Sequence, residues 1–276
     1  MRHQRGHSLS DNLRSTLFMP TEIIRRLKPE EEELHRKREE LATIRVTLAD
    51  RELELADLRS ELAAFEGRYL RQVGTLYAEL DEWKARIRKL EAEGNPSPDA
   101  SARAEEAREQ AHRAYQEAHG SASKAKDFTP SPELRNLFRD VAKRVHPDLS
   151  KDSADQERRT RFMAEANHAY QAGDAETLRR ILNEYEDGAD AVEGEGIGAE
   201  LILIIRQISL AKERLAAIER ELSALGRSEI ALLRKQSEEA TQAARDMLGE
   251  LAKTLKEKIE RAKQEYDALT QESSRL

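Results

Sequence analysis

The sequence predicts an all-α protein that is largely coiled coil. Ala, Glu, Lys, Leu and Arg are abundant, whereas glycine and proline are scarce, with 12 and 7 among 276 residues. Only 38% of the residues are hydrophobic and 4% aromatic, against 37% charged, which is too little apolar material for a large globular core. Long helices suit this composition better than a sheet or a disordered chain does.

Charge and cysteine content disfavour several classes of function. The net charge of −7 argues against nucleic-acid binding, which needs a basic face for the phosphate backbone. The chain has no cysteine, which removes disulfides, thiol catalysis and thiolate zinc sites, and its histidines show no ligand spacing. We therefore expect no metal and no cofactor. No apolar run is long enough for a signal peptide or a bilayer span, so a cytoplasmic protein without membrane contact is expected.

Residues 29–93 are expected to form one long coiled-coil helix, preceded by a polar, mobile N-terminus at residues 1–28. Apolar residues recur in steps of three and four, the pattern of a left-handed coiled coil. A single helix cannot bury this seam, so we expect either a homodimer or packing on the C-terminal helices. The seam comprises Leu34, Leu41, Ile44, Leu48, Leu55, Leu58, Leu62, Phe65, Tyr69, Val73, Leu76, Leu80, Trp83, Ile87 and Leu90.

One irregularity interrupts the seam. Two consecutive steps of four lead from Phe65 through Tyr69 to Val73, which is a stutter that unwinds the supercoil locally. Gly67 and Gly74 flank it, so a bend or weak point is expected here.

Segments rich in glycine, proline or acidic residues divide the rest of the chain into helices and linkers. A Pro- and Gly-containing linker is predicted at residues 94–101, an alanine-rich helix at 102–119, and a flexible acidic linker at 186–198, which holds four glycines. Residues 199–276 carry two further seams separated by Gly226, which predict an antiparallel coiled-coil hairpin.

The segment between the linkers predicts a short helical hairpin. Ser131 can cap a helix that Pro132 opens, and Pro147 ends that helix. Ser153 and Gln156 form a capping box for the next helix, and Asp174 can cap a third. The loop between the first two helices, with His146 and Asp148, is expected to be exposed. The first helix carries four cations, which suit an acidic partner surface: Arg135, Arg139, Lys143 and Arg144.

These residues resemble the J-domain of DnaJ-type co-chaperones. The run LFRDVAKRVHPD at residues 137–148 is similar to the second helix and the signature His-Pro-Asp loop of that family. Asn167, Ala169 and Tyr170 resemble the pattern near the end of its third helix. The usual first helix is not evident before Ser131, and the helix at 102–119 or Phe128 is expected to replace it. The J-domain-like module then spans residues 102–185, with its core at 131–185.

The resemblance implies a mechanism without catalysis by this chain itself. In the family, the basic helix and the His-Pro-Asp loop dock on a DnaK-type chaperone ATPase and speed its ATP hydrolysis. By position, the cations of the first helix would supply the docking charge, and His146, Pro147 and Asp148 would supply the trigger. The coiled-coil arms would bind a client or partner protein.

Two other functions are open to a chain of this kind. It could be a structural coiled-coil scaffold whose J-like hairpin is a spacer that no longer engages the chaperone. An exposed His146 and Asp148 beside a basic helix favour the co-chaperone, because a spacer does not need them. Catalysis by His146 and Asp148 is disfavoured, since no nucleophile, phosphate-binding loop or metal cluster accompanies them. We therefore expect no enzymatic activity.

Overall fold

The fold was analysed in a computed structural model, which describes residues 28–94, 97–122, 128–186 and 196–273. The predictions for residues 1–27 and for most of the acidic linker, residues 187–195, lie outside these ranges. The described chain is helical without strands, which confirms the all-α class. The helices are α1 (Pro29–Tyr69), α2 (Thr75–Gly94), α3 (Pro98–Ala122), α4 (Pro132–Val145), α5 (Ser153–Ala172), α6 (Ala175–Glu186), α7 (Gly196–Gly226), α8 (Glu229–Gln242) and α9 (Met247–Ser273).

Helices α1 and α2 form one rod that supports the rest of the molecule. The backbone stays helical from Pro29 to Gly94, a length of about 100 Å at 1.5 Å per residue. A π turn at Leu70–Gly74 joins the two helices. It coincides with the predicted stutter, because a wider turn takes up the extra residue of two successive four-residue steps.

Helices α7 and α9 lie along successive parts of this rod and parallel to it. Helix α7 packs on α1, where Arg38 pairs with Glu200 and Glu52 bonds Arg214 at 2.7 Å, and α9 packs on α2, where Lys263 pairs with Glu79 at 3.6 Å. Helix α8 between them does not extend along the rod, because its Arg234 pairs with Glu61, two residues beyond the Arg59 that pairs with Glu221 of α7. The antiparallel coiled-coil hairpin predicted for residues 199–276 is wrong, because its two seams pack on the rod and not on each other.

The seam of the rod is buried within the chain. Leu34, Leu41, Leu48 and Leu55 pack with residues of α7, including Ile204, Ile208 and Ile218. Farther along, Phe65, Val73, Leu80 and Ile87 pack with residues of α9, including Leu255 and Ile259. Of the two seam partners considered, the structure contains the intrachain one.

Helix α3 folds back and packs on α2 rather than on the central module. Its alanines permit close packing, and Ala107 and Ala111 are buried. The helix at 102–119 therefore does not replace the missing first helix of the module. Phe128 does contact the module, with its ring centroid 5.4 Å from that of Tyr170. The remaining cover comes from α1, whose Ala49, Leu53 and Ala56 join the module core.

The central module is a three-helix unit whose ends follow the sequence signals. The Ser131 hydroxyl accepts from the Leu134 amide at 3.1 Å, and Asp174 accepts from the Thr177 amide at 3.0 Å. The second helix differs, because Asp152 rather than Ser153 is its N-cap and accepts from the Asp155 amide at 2.8 Å. The core of the module contains Leu134, Phe138, Val141, Val145, Met163, Ala166, Tyr170, Leu178, Ile181 and Tyr185.

Among the helices of the described ranges, none carries an apolar stretch of the length and hydropathy needed to cross a bilayer.

Candidate functional site

The His-Pro-Asp loop is a tight connection between α4 and α5. His146 has an extended backbone, which Pro147 enforces on the residue before it. A short 3-10 turn at Pro147–Leu149 follows, closed by the Leu149 amide donating to the His146 carbonyl at 3.1 Å. The Asp148 amide donates to His146 Nδ1 at 3.2 Å, so the loop fixes the imidazole against its own backbone.

His146 lies buried beneath α1 and α7, with 2% of its surface exposed. Because Nδ1 accepts from Asp148, Nε2 carries the proton of the neutral ring. Nε2 lies 3.1 Å from Glu52 Oε1, to which it donates. The expected exposure of His146 is therefore wrong, since the rod and α7 close over the loop.

Glu52 connects the loop to both arms. Its Oε1 also accepts from Arg214 Nε of α7 at 2.7 Å. Burial alone would raise the pKa of Glu52, but the hydrogen bonds from His146 and Arg214 outweigh it and lower that pKa. The pKa of Arg214 is in turn raised, because the bond to Glu52 more than offsets the cost of burial. A carboxylate is thus held between an imidazole and a guanidinium.

Asp148 is partly accessible at the edge of this network, with 23% of its side chain exposed. Its Oδ2 lies 3.7 Å from His146 Nδ1. Burial raises the pKa of Asp148, and the negative charges of Glu52 and Glu213 add to that effect.

Helix α7 also holds the far end of the loop. Gln207 Nε2 donates to the Leu149 carbonyl at 2.8 Å and to the Ser150 carbonyl at 3.2 Å. The Leu149 side chain is buried among seam residues of α1 and α7, including Leu48 and Ile208. The loop therefore contributes to the coiled-coil core as well as to the module.

Arg159 joins the two helices of the hairpin behind the loop. Its Nη1 donates to the Arg144 carbonyl at 2.8 Å, which satisfies an unpaired carbonyl at the end of α4. Its Nε bonds Asp155 at 2.7 Å, and its side chain is buried. Arg159 is thus a structural support for the loop that the sequence pattern did not single out.

The basic face of α4 is divided between the rod and solvent. Arg139 Nε lies 2.6 Å from Asp50 Oδ1, and Arg135 Nη2 lies 3.5 Å from Asp57 Oδ2. Lys143 and Arg144 stand at exposed positions. Two of the four predicted docking cations therefore face acids of α1.

A third polar contact ties the module to the rod. The Tyr170 hydroxyl donates to Asp57 Oδ1 at 2.5 Å. Burial and this bond raise the pKa of Tyr170, so the hydroxyl keeps its proton. Asp57 thus accepts a hydrogen bond from Tyr170, a residue of the J-domain-like pattern, and forms an ion pair with Arg135.

The sequence contained no signal for Glu52 or for its partners. The seam position between Leu48 and Leu55 is Arg51, so Glu52 stands beside the seam, where an acid is ordinary in a coiled coil. Its partners His146 and Arg214 lie 94 and 162 residues away, which no local pattern can reveal.

Comparisons with protein-family models, with curated proteins and with solved structures gave no match for this chain. The resemblance to J-domains therefore depends on the residues of the central module alone.

Proposed function

We propose that this protein is a cytoplasmic J-domain co-chaperone that docks on a DnaK-type chaperone and stimulates its ATP hydrolysis. One observation carries the proposal: His146, Pro147 and Asp148 form the tight joint of a helical hairpin, directly after a basic helix. The family uses this combination to engage the chaperone, and the hydrolysis takes place on the chaperone.

In this proposal each loop residue has a separate part. Pro147 ends α4 and sets the loop, and His146 orders it by accepting from the Asp148 amide. The basic side chains of α4 meet the acidic docking surface of the chaperone, and Asp148 belongs to the trigger with His146 and Pro147. The coiled-coil arms bind a client or partner protein.

A second candidate function is a structural coiled-coil scaffold in which the module is a spacer. The burial of His146 and its bond to Glu52 favour this candidate, because both give the histidine a role within the chain. The pairing of Arg135 and Arg139 with acids of α1 favours it too.

Single-turnover ATP hydrolysis by the cognate DnaK-type chaperone separates the two candidates. A co-chaperone speeds hydrolysis, and His146→Gln removes most of the effect. His168→Gln is the matched control, because His168 is an exposed histidine of α5 in the same module. If His146→Gln stimulates as strongly as His168→Gln, or if the wild type gives no stimulation and release of the module from the rod does not produce any, the co-chaperone proposal fails.

A further inference from the structure

Three acids of α1 hold the residues that the proposed function assigns to docking. Asp50 pairs with Arg139 at 2.6 Å, and Asp57 pairs with Arg135 at 3.5 Å. Glu52 accepts from His146 at 3.1 Å. Asp50 and Asp57 are one heptad apart on one side of the module-facing residues of α1, and Glu52 lies on the other side of them. The three acids are here called the acidic strip.

The acidic strip offers the module the same chemistry that an acidic chaperone surface would offer. The N–H donors of Arg135 and Arg139 that face the α1 acids are not available to a partner, so the two surfaces compete for these guanidinium groups. His146 itself is buried against Glu52 of α1, and α7 covers the loop residues that follow it. A chaperone can reach His146 only when this cover is removed.

The contact between rod and module has an apolar part. From α1 it contains Ala49, Leu53 and Ala56, and from the loop it contains Leu149, which is buried in the seam of α1 and α7. The polar contacts of the acidic strip add to this apolar contact. Gln207 of α7 adds two hydrogen bonds, which it donates to the carbonyls of Leu149 and Ser150.

We infer that α1 and α7 form an autoinhibitory clamp, in which the acidic strip occupies the docking groups until the module is released. The inference deepens the proposed co-chaperone function and rests on it. In the clamped state His146 is covered, and Arg135 and Arg139 are ion-paired to the rod. Release from the rod exposes all three together, because the same helix holds them.

The first experiment weakens the clamp without changing the module. In Asp50→Asn/Asp57→Asn the helix is kept and two ion pairs are lost. We expect a several-fold increase in stimulated single-turnover hydrolysis over the wild type. Glu66→Gln/Glu91→Gln is the control, since it removes two exposed acids of the same rod and should behave as the wild type. Far-UV circular dichroism checks that both variants keep the helical content.

The second experiment closes the clamp covalently. The chain has no cysteine, so Ser150→Cys/Gln207→Cys introduces the only two thiols, at positions where side chain and loop are in contact. Cross-linking with a short bis-maleimide should abolish stimulation. Each single-cysteine variant, treated with the same reagent, should retain it.

Carbethoxylation of the peptide containing His146, read by mass spectrometry without any chaperone, separates the possible failures. We expect protection in the wild type and reaction in Asp50→Asn/Asp57→Asn. If His146 stays unreactive in that variant, the strip does not hold the loop and the clamp is overturned. The clamp is also overturned if the wild type, the released variant and the cross-linked protein stimulate equally, although the co-chaperone function then stands. If His146 becomes reactive and still no protein stimulates, the proposed function itself fails and the inhibitory role with it.

Discussion

Glu52 is the residue at which the rod, α7 and the His-Pro-Asp loop meet. Its carboxylate accepts from His146 and from Arg214, and only 5% of its surface is exposed. Removing one member of a buried charged network leaves its partners desolvated and unpaired, which costs far more than an exposed ion pair contributes. The stability of the whole junction therefore depends on this one side chain.

Replacing Glu52 should destabilise the protein more than replacing a neighbouring exposed acid. We expect Glu52→Ala to lower the free energy of unfolding by about 3 kcal/mol, because Arg214 and His146 lose their acceptor. Glu54→Ala, at an exposed position of the same helix, should change it by less than about 0.5 kcal/mol. Urea unfolding followed by circular dichroism measures both, and equal shifts of the two midpoints would contradict the assigned role of Glu52.

Lowering the pH should destabilise the junction between the rod and the loop, because Glu52 becomes protonated. Its pKa is lower in the folded protein than its ordinary value of 4.5, so its stabilising effect is full above that value and is lost as the pH falls through the folded pKa. Asp148, with its raised pKa, acts in the opposite direction and is affected by the charge of Glu52, so wild type and Glu52→Gln are both compared in an Asp148→Asn background. The difference between their melting temperatures should therefore shrink from pH 7 towards pH 3. A difference that is constant with pH would show that Glu52 does not carry a shifted pKa.

At the scale of the elements, local chemistry predicted where helices begin and end. Ser131, Asp174 and the proline of the loop mark helix ends in the sequence, and the structure has those ends. The stutter marks the π turn. The partner of the two C-terminal seams was not predictable in the same way, because each seam can be buried by the other or by the rod. Which partner buries more apolar surface decides it, and that partner is the rod.

The joint between α8 and α9 has a conformation that suits glycine. The Arg245 amide donates to the Ala240 carbonyl at 2.9 Å and the Ala244 amide to the Thr241 carbonyl at 3.0 Å, which is a Schellman motif. Ala244 adopts φ 56°, where a Cβ is strained, whereas the equivalent position after α5 is Gly173 with φ 73°.

Ala244→Gly should therefore stabilise the protein, by about 0.5–1 kcal/mol, since relief of the left-handed strain exceeds the added backbone entropy of glycine. Ala240→Gly, in the interior of α8, should destabilise it by about 1 kcal/mol. Urea midpoints of the two variants measure the difference. Destabilisation of equal size in both would mean that the joint does not hold this backbone conformation.

At the scale of the whole molecule, the cover over the loop was beyond what the sequence could predict. The sequence identifies His146, Pro147 and Asp148 and the cations before them, because these lie in one short stretch. Burial of His146 depends on residues of α1 and α7, which periodicity assigns only to a seam. His146 was expected to be an exposed trigger, and tertiary packing buries it.

The seam of the rod is filled by α7 and α9, which bears on self-association. A homodimer through residues 29–93, one of the two seam partners expected from the sequence, would require these helices to leave the rod or exchange between chains. Since one chain satisfies the seam, we expect an elongated monomer in sedimentation-velocity ultracentrifugation at tens of micromolar protein. A species with the mass of two chains would support exchange of arms instead.

The most direct test of the central claim is single-turnover ATP hydrolysis by the cognate DnaK-type chaperone with the released protein. Asp50→Asn/Asp57→Asn should stimulate hydrolysis strongly, and adding His146→Gln to it should return the rate to that of the chaperone alone. If the double variant gives no stimulation, or if the triple variant stimulates as well as the double one, the His-Pro-Asp loop is not the trigger and the account is contradicted.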